Sequence, residues 1–441
     1  MRVSFDEYFK LAEEKGISPF QIAYYENHET TVDTFNDVVE SQQIGETHSI
    51  VCKGTYKGKI AYCSTDIVDK ETPEYLTDNI VKNAKYGKKY KDAYYCPGGL
   101  KYKKVKYADG TFIDSTLNEI KKACLDLYPK IKKMDSRIEN VEIEIQKFEM
   151  QSKMADSLGM KVSKNFKVYS FGLVVHSKDE KGNRRSESGG AESGLSLEDL
   201  LVKANKTINK TVKKSLDFLG SSSCSSRKCK AVFSPYTFSG LLSAFTTHFN
   251  QKAVNKGLSL FEHKIGCQVV SSCFTIYNNP HKISLSALSY DSDGYPTEDF
   301  CFIKQGELMT YFKSLESAYD SKTISNGCSV GDGNAGAQLL TVDPGKKTRD
   351  ELFEEMKDGI YIVGLSGMGS GLDGQTLDFS LPCFGYLIEQ GKVARPVSMI
   401  TVSGNIKDLM MNVEELGSDI EYQGGIYLPS VLVKKVMISG S

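Results

Sequence analysis

Residues 233–272 read FSPYTFSGLLSAFTTHFNQKAVNKGLSLFEHKIGCQVVSS. Ser234 followed by Pro235 is a helix opening. The serine hydroxyl accepts from a free N–H of the first turn, and proline at the first helical position gives up a donor that has no partner there. Phe238, Leu241, Leu242, Phe245 and Phe249 recur at intervals of three and four. That spacing puts them on one face of a helix of about four turns. Gly257 ends the run, and Ile265-Gly266 leads into an extended stretch, Gln268 to Ile276. A helix this apolar has to be covered, so the stretch predicts a central helix packed on a sheet.

The chain around it has 441 residues, enough for two or three domains. It is 40% hydrophobic and 25% charged, with a formal net charge of -1. Such a balance provides no global field toward nucleic acid or membrane. No apolar run reaches membrane-spanning length, and the N-terminus, MRVSFDEYFKLAEEKG, has no apolar signal core. Eleven cysteines are scattered without a C-x-x-C pair. Free thiols in a reducing compartment account for that pattern, and a cytoplasmic protein is expected. Cys224 and Cys229 have no second pair nearby to complete a metal site.

In chain order, Ser4 and Glu7 form a capping-box pattern for a first helix that Gly16 stops. Ile22–Tyr25, Thr31–Phe35, Ser49–Lys53 and Lys59–Cys63 read as strands of a meander. Thr72-Pro73 opens a second helix with Leu76, Ile80 and Ala84 on its inner face. A third helix starts near Thr116 and is expected to be interrupted at Pro129. Long strands follow over Ile138–Met150 and Val162–His176, then a charged, glycine-rich loop, Lys178–Gly194. Ser196 and Asp199 cap a helix that Gly220 terminates. The Gly220–Cys229 stretch, GSSSCSSRKC, marks a boundary between domains 1–220 and 221–441. Beyond the central helix, Val269–Ile276, Lys282–Ala287, Phe300–Ile303, Ile360–Leu365, Phe384–Glu389, Val397–Val402 and Ser430–Ile438 read as strands. One short helix from Thr348 interrupts them. The expected class is α+β: an N-terminal antiparallel sheet with helices, and a β-rich, barrel-like C-terminal domain around one central helix.

Several motifs are imitations. Gly331-x-Gly333-x-x-Gly336 and Gly369-x-Gly371-x-x-Gly374 lack the following helix that a dinucleotide site needs, and read as glycine loops. His28-Glu29 sits among β-branched residues that favour a strand over a zinc-binding helix. Asp291-x-Asp293-Gly294 lacks the twelfth-position glutamate of a calcium loop and reads as a turn. Lys85–Tyr107 interleaves lysines with tyrosines. Such a stretch can stack single-stranded nucleic acid, or it can be a loop whose lysine stems cover tyrosine rings; the second reading is adopted, and no nucleic-acid partner is expected.

The central stretch resembles the signature region of the TldD/PmbA family, peptidases also described as modulators of DNA gyrase. Lys256-Gly257-Leu258-Ser259-Leu260-Phe261 and Gly266 correspond to the family's Lys-Gly-x-Ser-x-Phe segment and its following glycine. Further likenesses follow in the family's order: Asn278-Asn279-Pro280, Asp293–Thr297, Ile303–Leu308, Asp378–Ser380, Gly385–Lys392, Pro396-Val397 and Ser403–Asn405. In TldD-type subunits the helix carries His-Glu-x-x-x-His. Counted from the anchor, the two histidine positions fall on Leu242 and Thr247, and the glutamate on Ser243. The family's late cysteine ligand would fall in Glu421–Gly425, which has no cysteine. The pattern is similar to the PmbA (TldE) branch, without the zinc motif.

The resemblance implies a subunit of a TldD/TldE-type metalloprotease acting on peptides or unfolded segments. It implies no catalytic, cofactor or metal residue in this chain, and zinc only in a TldD-like paralogue. A non-enzymatic protein acting on DNA gyrase or another partner is the alternative, and a homodimer without the paralogue stays open. His248, His263, His281 and Cys383 lie in or near the family's site region and are the candidate site residues.

Overall fold

The computed structural model describes residues 4–91 and 94–440. By packing, the chain divides into residues 1–100 with 108–220, and residues 101–107 with 221–441.

The N-terminal unit is built on six antiparallel strands: β1 (Phe20–Phe35), β2 (Val38–Tyr56), β3 (Lys59–Thr65), β4 (Ile138–Asp156), β5 (Lys161–Lys178) and β6 (Arg184–Gly194). Their order is β3-β2-β1-β4-β5-β6. The two short strands expected over residues 22–35 are one long strand, because β2 and β4 pair with β1 along almost its whole length. Helices α1 (Asp6–Glu14) and α2 (Thr72–Asn83) cover one end of the sheet, where Tyr8, Leu76 and Ile80 pack with Ile22, Tyr24 and Ile50. Helices α3 (Leu117–Lys132) and α4 (Leu197–Asp217) form a second core with Val32, Ile143, Phe171 and Leu173. Between these two cores the middle of the β1–β2 hairpin stays largely accessible.

Four local expectations are corrected here. Ser4 and Glu7 do not form the capping box: Ser4 Oγ accepts from Asp6 N at 3.3 Å and donates to Asp6 Oδ2 at 2.8 Å, and Phe5 holds the cap position. Pro129 does not interrupt α3, which runs on to Lys132 with Ile131 buried. The loop expected over 178–194 is mostly the strand β6. Two of its three glycines serve close packing: a Cβ on Gly189 would stand 2.7 Å from Thr211 Oγ1, and one on Gly194 2.7 Å from the Leu200 nitrogen, both on α4. The tyrosine-rich segment is used internally. Tyr95 is buried under the Lys53 ammonium and bonds Thr55, while Tyr102 donates to the Gly294 carbonyl at 2.9 Å within the C-terminal unit. Asp92 and Ala93 of that segment lie outside the described residues.

The C-terminal unit runs β7 (Arg227–Phe233), α5 (Pro235–Thr246), α6 (Gln251–Asn255), β8 (Ile276–Asn278), β9 (Phe300–Lys304), β10 (Glu307–Leu308), α7 (Leu315–Asp320), β11 (Ser329–Gly331), β12 (Asn334–Ala335) and β13 (Leu340–Val342). It continues with α8 (Arg349–Met356), β14 (Gly359–Leu365), β15 (Asp378–Glu389), β16 (Lys392–Asn405), α9 (Ile406–Met411), β17 (Val413–Leu416), β18 (Glu421–Gln423), β19 (Ile426–Leu428) and β20 (Val431–Ser439). Strands β16-β15-β14-β7-β20 pair in that order, and Thr401–Ser403 of β16 pair with Met437–Ser439 of β20. The sheet therefore closes into a five-strand barrel, and the α+β class with a barrel-like C-terminal domain holds. A second sheet has the order β10-β9-β8-β13-β19-β18. The helix foreseen from Thr348 is α8, with a full capping box between Thr348 and Glu351. Two strand expectations fail. Val269–Thr275 is irregular chain after an isolated bridge from Gln268 to Glu307, and Lys282–Ala287 is a loop closed by the Leu288 N–H on the Pro280 carbonyl.

The central helix is present but shorter than its periodicity implies. α5 passes into a 3-10 turn at Thr247–Phe249, and Asn250 leaves helical geometry to cap α6 through Lys252 N. Its inner face belongs to the main core. Phe249 stacks on Phe261 at 4.6 Å between centroids and meets Phe302 edge-on at 5.1 Å. Truncating Phe249 to alanine removes a fully buried ring from this stack and is expected to cost about 3–5 kcal/mol. Exposed Val38→Ala should stay within about 0.5 kcal/mol. Denaturant unfolding of the two variants checks the contrast.

Candidate functional site

α5 sets the direction of everything around the cleft. Ser234 Oγ accepts from Thr237 N at 3.3 Å and Pro235 takes the first turn, so the helix starts directly off the barrel strand β7. Leu241, Leu242, Phe245 and Phe249 face the core and are fully buried. On a helix, residues four apart share a face, so Ser243 and Thr247 face outward together, and both are exposed. They line a cleft of about 390 Å³ with Asn250, the Asn334–Gln338 loop and the Gly424-Gly425 turn between β18 and β19.

The walls are held by backbone and amide bonds rather than by charged groups. Asn250 Oδ1 accepts from Ala335 N at 3.2 Å as well as from Lys252 N at 3.0 Å, so one side chain ties the helix end to the loop. Buried Asn278 accepts from Gln338 N at 2.9 Å. Leu340 N donates to the Gly425 carbonyl at 2.9 Å, which joins the two loop walls. Asn250 and Asn334 were not singled out in the sequence. An asparagine in an apolar helical run was the available signal, since such a residue favours caps over helix interiors.

The positions that match the family's zinc motif do not offer a zinc ligand set. Leu242 is aliphatic and turned into the core. Thr247 Oγ1 donates to the Ala244 carbonyl at 2.8 Å. Ser243 carries a hydroxyl, whereas zinc takes imidazole, thiolate or carboxylate. Among the described residues, the one group of three such side chains whose ligand atoms converge lies in the N-terminal unit.

The candidate histidines and cysteine do not gather in the cleft. His248 is buried and points away from Thr247. Its Nε2 lies 3.0 Å from the Gly374 carbonyl, and its Nδ1 is 3.4 Å from Leu260 N. That pairing makes Nε2–H a donor and Nδ1 an acceptor, which is the neutral ring. His263 is exposed on a loop at φ 56 and pairs with Glu262 at 3.2 Å. His281 is enclosed by Asp299 at 2.7 Å and Thr297 at 3.1 Å. Cys383 is buried in the main core, and burial pushes its thiol up to about 12, with Cys224 nearby adding to the shift, so it is no nucleophile at neutral pH.

Three of the sequence features serve architecture. Ser259 Oγ donates to the His248 carbonyl at 2.6 Å and accepts from Phe261 N at 3.0 Å, which seats Phe261 in the aromatic stack. Gly331 and Gly333 belong to the β11–β12 hairpin and take positive φ, so that pattern is a glycine loop. Asp291 accepts from Asp293 N, Tyr295 N and Ser329 N, and the Asp-Gly pattern is a turn.

Residues 226–440 match the PmbA/TldA metallopeptidase C-terminal domain. A metalloprotease PmbA homolog of Buchnera aphidicola is 27% identical over 286 residues, 65% of this chain and 62% of its own length. Metalloprotease PmbA of Escherichia coli O157:H7 is 28% identical over 232 residues, 52% of this chain and 49% of its own. The chain thus aligns with about half to three fifths of the length of these relatives. In structure, TldE from Thermococcus kodakarensis superposes with a TM-score of 0.84 at 16% identity, covering 98% of this chain and 100% of that one. A Thermotoga maritima protein described as a candidate modulator of a DNA gyrase gives 0.88 at 24% identity, covering 98% and 99%. These two likenesses show the fold.

His248 supplies a pH test. Burial, the larger influence, lowers its pKa below the ordinary value of 6.5, while the bond to Gly374 acts the other way. The unfolded chain then binds more protons than the folded one in this window. The stabilisation is present above about pH 6.5 and is lost as pH falls through the lower folded value. Wild type should exceed His248→Gln in unfolding midpoint at pH 7.5, and the gap should close toward pH 5. Thermal melts across that range measure it.

Proposed function

From the premise that this chain belongs to the PmbA/TldD family, we propose that it is the PmbA/TldE-like subunit of a two-component metallopeptidase acting on peptides or unfolded segments. The observation that carries the reading is the cleft beside α5: of the three positions counted onto the family's zinc motif, Ser243 and Thr247 face it and Leu242 is buried. Such a cleft suits substrate holding. Backbone and amide groups on its walls recognise an extended peptide without regard to side-chain charge, and the strand β18 at the rim offers an edge for pairing. Zinc is assigned to a TldD-like paralogue, and this chain shapes the cleft of the pair. A cytoplasmic location is part of the same reading, supported by eleven free cysteines. No helix among the described residues is long and apolar enough to cross a membrane.

The purified chain is expected to leave an unstructured fluorogenic peptide intact, and to support chelator-sensitive cleavage once a paralogue carrying the zinc motif is added. Chelator-sensitive cleavage by this chain alone would overturn the reading. Recovery from native cells of gyrase, and no such paralogue, would favour the non-enzymatic alternative.

Filling the cleft tests the substrate role separately. Ser243→Tyr adds a ring at an exposed position and should weaken peptide binding by the pair at least about tenfold. The unfolding midpoint should not move.

A further inference from the structure

The β1–β2 hairpin carries the same tripeptide pattern twice, Glu26-Asn27-His28 and Glu46-Thr47-His48. Residues two apart on a strand share a face. The antiparallel register places Glu26 opposite His48 and His28 opposite Glu46, so all four side chains occupy one patch. Only six histidines occur in the chain, and two of them meet here. The patch lies on the face of β1 that also bears Tyr24 and Val32, between the two cores of the N-terminal unit. Glu29, the neighbour that makes His28 look like part of a helical zinc motif, projects from the opposite face, where it accepts from Thr31 Oγ1 and Gln146 Nε2.

The geometry is that of a ligand set on rigid backbone. One ligand atom each from Glu26, His28 and Glu46 lies within 4.8 Å of the others. His28 Nε2 is 2.8 Å from Glu26 Oε1. The second oxygen of Glu26 accepts from Tyr24 OH at 3.0 Å, and the same hydroxyl is 2.7 Å from His48 Nδ1. His48 Nε2 in turn is 2.8 Å from Glu46 Oε1. Tyr24 is buried, so its ring anchors the outer layer of partners. The Glu26 and Glu46 carboxylates are thus each oriented by a neighbour, the arrangement that outer partners give to metal ligands. β1 is paired on both sides, by β2 and β4, and holds these positions without help from a loop.

We propose that this patch binds one divalent transition-metal ion, with Zn²⁺ as the ion to test, through His28 Nε2 and carboxylate oxygens of Glu26 and Glu46, water completing the shell. An imidazole with two carboxylates suits zinc-like ions, and the two negative charges match the charge of the ion. On binding, His28 exchanges its bond to Glu26 for one to the metal. The neutral ring then carries its single proton on Nδ1, leaving the Nε2 lone pair free to ligate. The site is independent of the cleft reading and uses none of its residues. A contrast within the molecule is His176, which pairs with Glu142 at 2.7 Å and Ser186 at 2.7 Å but, among the described residues, has no second carboxylate in a convergent set.

The test is a Zn²⁺ titration of the full chain, stripped with chelator, against a chromophoric competitor at neutral pH, with Co²⁺ absorption as a second readout. One equivalent is expected to bind. His28→Asn and Glu46→Gln should each weaken it at least about tenfold, within the range that ligand and outer-partner changes produce. His176→Asn should leave it unchanged. Metal-free circular dichroism of each variant checks that the sheet is intact. If the wild type binds no tighter than about 100 μM, roughly -5.5 kcal/mol, or if zinc is retained by the His28→Asn/Glu46→Gln double variant, the hairpin site is overturned.

Discussion

The C-terminal unit depends on one aromatic stack. Phe249 lies against Phe261 and Phe302, and Phe302 stacks on Phe312 at 4.5 Å. These rings come from the 3-10 turn after α5, the signature loop, β9 and the segment after β10. Burying large rings is favourable only where their faces and edges fit, so the stack fixes the rotation of α5 about its axis as well as its place. Once that rotation is fixed, Leu242 must point inward and Ser243 and Thr247 outward. The chemistry of the cleft follows from core packing.

Much of the architecture was legible because it rests on local periodicity. Leu76 and Ile80 on α2, the start of α3 near Thr116, and Thr348 at α8 each announce their element within one or two turns of chain. The misreadings come from long-range packing. β6 looked like a loop because its glycines weaken strand propensity, yet Gly189 and Gly194 let α4 approach the sheet. The break at Asn250 was hidden because Phe249 continues the helical spacing while the Asn250 side chain bonds Ala335, far along the sequence. Barrel closure between β16 and β20 joins strands that no short motif connects.

For the site, the residues facing the cleft on the helix were legible by counting from the Lys256–Phe261 anchor. The loop walls were not, because glycine, alanine and asparagine carry no pattern until the fold brings them together. The candidate histidines lie apart from one another for a shared reason. A histidine in a sparse sequence draws attention, but each of these three has a local duty: His248 toward Gly374, His263 toward Glu262, His281 toward Asp299. The two histidines that share a surface patch are His28 and His48, which the cross-strand register brings together.

The excursion of residues 101–107 has a kinetic side. This strap leaves the N-terminal unit, packs with the C-terminal unit through Tyr102 on Gly294 and Lys103 on Asp299, and returns to build β4, β5 and β6. During synthesis the strap emerges well before residues 221–441 exist, so its tyrosines wait in water until the later unit forms. The C-terminal unit in turn cannot be completed from its own contiguous stretch of chain. Neither unit is a contiguous piece of gene: moving either into another protein would leave the strap behind or carry a foreign one along.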